Sequence, residues 1–144
     1  MYIGFQHLHS SLAWLVLALL IAAVGLAKYG WFFKKPWTEV QRKVTLFAMI
    51  GAHTQLLIGL VLYVISPVGL SALSGEAMGD ATLRLYSLEH PLVNILALVL
   101  ITIGHVKAKK ASTDSSRHSI VMWTFGIGLL LILSRIPYAA WLPS

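Results

Sequence analysis

Residues 10–29 read SSLAWLVLALLIAAVGLAKY. The stretch holds a single charge, Lys28. A helix needs about 20 apolar residues to cross the hydrocarbon of a bilayer. Lipid offers no partners to backbone N–H and C=O groups, so such a stretch closes its hydrogen bonds within itself as a helix. Comparable segments run from about 44 to 65, ended by Ser66-Pro67, from about 88 to 106, and from about 119 to 136, ended by Pro137. No segment alternates with period two for long enough to be a barrel strand. The first segment lacks a basic lead-in and is longer than the apolar core of a signal peptide, so it is read as a helix. The expected fold is all-α: one integral membrane four-helix bundle over residues 1–144, with the bilayer as its first partner.

Composition agrees. The chain is 58% hydrophobic and 11% charged, against about 25% charged in soluble domains. The net charge of +6 invites nucleic acid as a partner, but the charges are badly placed for it. Lys28, Lys34, Lys35, Arg42, Lys43, Lys107, Lys109, Lys110 and Arg117 gather around two short loops, 33–43 and 107–118. The middle loop, 66–87, holds Glu76, Asp80 and Arg84. By the positive-inside rule both basic loops face the cytoplasm, with both termini and the middle loop outside. The expected location is the bacterial cytoplasmic membrane. The absence of cysteine excludes a disulfide, thiolate-ligated haem and Cys-ligated iron–sulfur clusters.

Histidine is where the chemistry lies. Ionisable groups at membrane depth are costly and mark function, and imidazole is a common ligand of metals and haem iron. His9 opens the first span, His53 sits near the middle of the second, and His90 and His105 stand near the two ends of the third. His90 and His105 are separated by about 22 Å of rise and only about 60° of azimuth, so they share one broad face. Asn94, Ala97, Ile101 and Gly104 lie along that face, where Ala97 and Gly104 leave room for a flat ring. This suits two stacked sites, an outer one from His9 and His90 and an inner one from His53 with His105, although His53 and His105 differ by about 8–10 Å in depth. His7 with His9 also reads as a surface copper or zinc pair. Gln55, about 200° from His53, faces elsewhere, toward a second subunit. His118, beside Arg117, reads as surface. Pro91 falls in the first turn of the third span, where its missing N–H costs least. Arg135 and Glu89 are level at the outer side: an ion pair, or with Arg135 on a haem propionate.

Four pieces carry a resemblance: His7-Leu8-His9-Ser10-Ser11-Leu12, His53-Thr54-Gln55-Leu56-Leu57-Ile58-Gly59-Leu60, Glu89-His90-Pro91 and Gly104-His105. With these the chain resembles the small bacterial four-helix membrane proteins grouped as cytochrome b-like. The resemblance implies a bundle holding haem b through histidines and linked to respiratory or quinol electron transfer.

The expectation is therefore a haem b electron-transfer protein with one or two haems on paired histidines among His9, His53, His90 and His105. It is a carrier or subunit rather than a stand-alone enzyme, with a quinone or another redox protein as partner and a homo- or hetero-oligomeric state. The alternatives are a haem-free accessory subunit and a histidine-based metal or proton transporter. With Met49 and Met122 the only methionines in the spans, thioether-based copper handling is disfavoured.

Overall fold

The computed structural model describes residues 1–142, which form helices and no strand. The long helices are α1 (Tyr2–Phe32), α2 (Glu39–Ile65), α3 (Ala81–Lys110) and α4 (Asp114–Ser134), followed by one short turn of helix, α5 (Tyr138–Trp141). All four long helices are long and apolar enough to cross a membrane. Their starts follow local chemistry. Thr38 caps α2 in a reciprocal box with Gln41, Asp80 accepts from the Leu83 N–H, and Thr113 accepts from the Ser116 N–H. Each cap satisfies an N–H that the first turn leaves without an intrahelical partner.

All four helices start before their expected spans. α1 begins at Tyr2 rather than Ser10, α2 at Glu39 rather than Val44, α3 at Ala81 rather than Leu88, and α4 at Asp114 rather than Ser119. In each case polar or amphipathic flanks continue the helix beyond the apolar run by which the span was recognised.

α1 packs on α2 and α4, and α3 packs on the same two, so α1 and α3 face each other across the diagonal. The interior combines small residues at helical spacing, Ala23, Ala27 and Gly30 on α1, Thr45, Ala48 and Ala52 on α2, Gly104 and Ala108 on α3, with the fully buried large side chains Leu20, Ile101, Val121 and Phe125. In a bilayer, where lipid gives helices no hydrophobic reason to associate, close backbone approach through the small residues would do that work. Large apolar side chains such as Leu15, Ile21, Leu57 and Leu130 point outward.

The two basic loops share one end of the bundle, and His118 joins them. Its Nε2–H donates to the Lys35 carbonyl at 2.8 Å, Gln41 Nε2 lies 3.5 Å from its Nδ1, and the Trp37 ring meets it edge-on. A carbonyl can only accept, so Nε2 carries the proton and Nδ1 is the acceptor. His118 is fully buried, correcting its reading as a surface residue. The ring fits because Gly30 of α1 has no side chain: a Cβ there would overlap the imidazole.

At the opposite end, residues 66–80 form two short 3-10 turns, Leu70–Ala72 and Ala77–Gly79. α3 then starts and passes through a π-helical segment, Leu85–Glu89, in which the His90 N–H reaches back to the Leu85 carbonyl. Pro91 follows directly. It lies a third of the way along a continuous helix, correcting its expected place in a first turn. Proline cannot donate to the carbonyl four residues back, which is that of Ser87. The π-helical slip accommodates the ring, and the Tyr63 hydroxyl donates to the stranded Ser87 oxygen at 2.8 Å. Such bulges recur at functional sites, and this one sets the azimuth of His90.

Candidate functional site

Above the small-residue core the helices part. A cavity opens there between α1, α2 and α3, with α5 across its mouth, and both His9 and His90 line it. Along α3 its lining runs from Tyr86 to Ile101, about 22 Å of helix rise. The walls are mostly aliphatic, with Gln6, Ser10, Gln55 and Asn94 as the main non-aromatic polar residues besides the histidines.

His9 and His90 meet across the bundle diagonal. Their ring centroids are 6.2 Å apart and the planes are inclined at 82°. His90 is held by the end of α4: its Nδ1 lies 2.7 Å from the Arg135 backbone oxygen. That oxygen is an acceptor, so Nδ1 carries the proton and Nε2 keeps its lone pair. Asn94 Nδ2, 3.3 Å from the same Nδ1, faces a donor there and instead donates to the His90 carbonyl at 2.6 Å. His9 is held by α2. Gln55 Nε2 donates to the His9 carbonyl at 2.8 Å, and the ring lies against Gly59, where a Cβ would come within 3.1 Å of Cε1. Gln55 thus faces α1 of its own chain, which corrects its assignment to a subunit interface. Residues two apart on a helix point about 200° apart, so His7 turns to the surface while His9 turns inward, and the two cannot converge on one ion.

Arg135 and Glu89 form the expected ion pair, Nε to Oε2 at 3.3 Å, and Arg84 Nε completes it on the other carboxylate oxygen at 2.7 Å. A second Arg135 nitrogen, Nη1, donates to the Ser134 carbonyl. The residue therefore contributes its backbone oxygen to His90 and its side chain to Glu89.

His53 lies elsewhere, in a shallow groove between α2 and α3 with Leu56, Ile95 and Thr102. Its Nδ1–H donates to the Met49 carbonyl at 2.9 Å, and Nε2 is 3.4 Å from Thr102 Oγ1. Among the described residues no ring contact or hydrogen bond links it to His105. The room expected beside Ala97 and Gly104 is occupied. A Cβ on Gly104 would overlap Thr124 of α4, and Ala97 is fully buried with its carbonyl against Gly128.

Sequence reasoning missed Gln55, Gly59 and Tyr63 as parts of this region. The available signal was their spacing: 55, 59 and 63 recur every four residues, one stripe along α2. Among the described residues no group of three or more His, Asp or Glu side chains gathers where it could hold an ion. No protein-family model, curated protein or solved structure matches the chain.

Proposed function

We propose that the protein is a haem b-binding electron-transfer protein of the bacterial cytoplasmic membrane, with His9 and His90 as the residues that would hold the haem iron. The observation that carries the reading is the pairing of these two imidazoles. Two rings ligating one metal at about 2 Å per nitrogen put their centroids roughly 6 Å apart, and the measured separation is 6.2 Å. A set of two histidines, with no group of three or more such side chains among the described residues, suits a group that would bring most of the metal's ligands itself.

The residues present fit that group. The His90 Nδ1–H is already taken by the Arg135 carbonyl, an arrangement that fixes a ligating imidazole and raises its basicity. Gly59 gives the His9 ring clearance. The long, mostly aliphatic cavity sets both rings in largely apolar surroundings. When bound, haem b supplies a one-electron iron couple, and a bis-histidine site leaves it no open position for substrate. The chain's own contribution is to orient the rings and hold the outer mouth together through Arg84, Glu89 and Arg135. Arg135 is also the cation nearest in sequence to the fourth helix's mouth-forming turn, and a propionate would compete with Glu89 for it.

His53 and His105 share no contact, so the reading commits to one haem at the His9–His90 pair. A quinone or a redox protein in the membrane is the electron partner this function requires. The test is one visible spectrum of purified protein, oxidised and dithionite-reduced, with a pyridine haemochrome. The expected result is a b-type α-band and about one haem per chain. A stable protein with no Soret band after haem supplementation removes the proposal.

A further inference from the structure

Two buried side-chain atoms lack a hydrogen-bond partner among the described residues: His9 Nδ1 and Gln55 Oε1. They belong to neighbours. Gln55 Nε2 donates to the His9 carbonyl at 2.8 Å, so the carboxamide is moored to the residue whose ring nitrogen is unmet. The amide cannot simply be turned over, because that would set its oxygen against the His9 carbonyl and lose a bond. Gln55 and Gly59 lie one turn apart on α2, and both address His9. One unmet atom is an acceptor. The other is a ring nitrogen that can be a donor or an acceptor.

We infer that Gln55 is the positioning residue for His9: its Oε1 accepts, through one bridging water, the hydrogen bond of the His9 Nδ1–H, and so fixes the tautomer that leaves Nε2 free. The inference rests on the proposed haem site for what Nε2 is used for, and on the protein alone for the tautomer. If His9 held its proton on Nε2, two buried acceptors would be left unmet and Nε2 could not serve as a ligand. With the proton on Nδ1, the two deficits cancel and His9 matches His90, whose Nδ1–H the Arg135 carbonyl takes. Both rings then offer Nε2.

The test uses the full chain in detergent with 15N-labelled histidine and no haem added. His9 is assigned by the signals lost in His9→Asn. The expected result is the Nδ1–H tautomer in the wild type, shifting toward Nε2–H in Gln55→Leu. In haem-loaded protein, Gln55→Leu should weaken haem binding about tenfold and raise the midpoint potential, because a ligand relieved of its acceptor is less basic and supports the ferric iron less. Gln55→Met keeps the chain length without the amide and serves if the leucine variant does not fold. A wild-type His9 found as Nε2–H, or a tautomer unchanged on loss of Gln55, overturns the inference. A Gln55-dependent Nδ1–H tautomer in a chain that takes up no haem keeps this inference and removes the haem reading instead.

Discussion

The Tyr63 hydroxyl donates to the carbonyl of Ser87, the oxygen four residues before Pro91, which the proline has no N–H to reach. A single bond across two helices thus gives that oxygen a partner within a helix apolar enough to cross a membrane, where an unmet backbone group would be expensive.

Tyr63→Phe should therefore lower stability by about 1 kcal/mol, read as a lower thermal midpoint in detergent. Pro91→Ala restores the N–H to the Ser87 carbonyl and should make the tyrosine dispensable. The double variant tests this directly: equal losses from Tyr63→Phe with and without Pro91 would mean the hydroxyl matters for another reason.

His9→Ala and His90→Ala should each reduce haem per protein to near zero, whereas His53→Ala and His118→Ala should retain it. Haem content is measured by pyridine haemochrome against protein concentration. Full occupancy in His90→Ala, or loss in His53→Ala, would relocate the site to the groove between α2 and α3.

Gly30→Ala should destabilise the basic end by about 1–3 kcal/mol, because the new methyl overlaps the His118 ring. The damage should be local: His118 loses its bond to the Lys35 carbonyl while the distant histidine pair is untouched. A lowered melting temperature with unchanged haem content is the expected pattern.

Ser112→Cys should be shielded from an impermeant thiol reagent in intact cells, and Ser74→Cys should be labelled. Both positions are exposed, at opposite ends of the bundle. The positive-inside rule predicts that the end with Ser112, which carries the basic loops, faces the cytoplasm. The reverse labelling would invert the protein in its membrane.

The four helices were legible because apolar length leaves so strong a trace, and the joint location of the two basic loops followed from their order along the chain. The His9–His90 pairing was also within reach, since both sit at the same expected depth. The inner pairing was not supported by a contact, and the reason is packing. Gly104 and Ala97 read as vacancies in one dimension, yet Thr124 and Gly128 of α4 come in against them. Smallness marks close approach as readily as it marks space. His118 misled in the opposite sense: a histidine next to an arginine at a helix start looks solvated, and only Gly30, far away in sequence, makes the recess that buries it. The π-helical turn was invisible because periodicity counts residues per turn and assumes that count never changes.

The short turn α5 carries Trp141 back onto the first helix, where its ring stacks on Trp14 at 4.3 Å and its Nε1–H donates to the Ser10 carbonyl. The chamber around the histidine pair thus takes walls from the earliest and the latest parts of the chain. While the protein is being made there is no chamber, only two imidazoles on helices not yet diagonal to each other. The pair is therefore enclosed only once helices far apart in sequence have packed together, and Trp141→Ala would remove both the stack on Trp14 and the bond to Ser10 that tie α5 to α1.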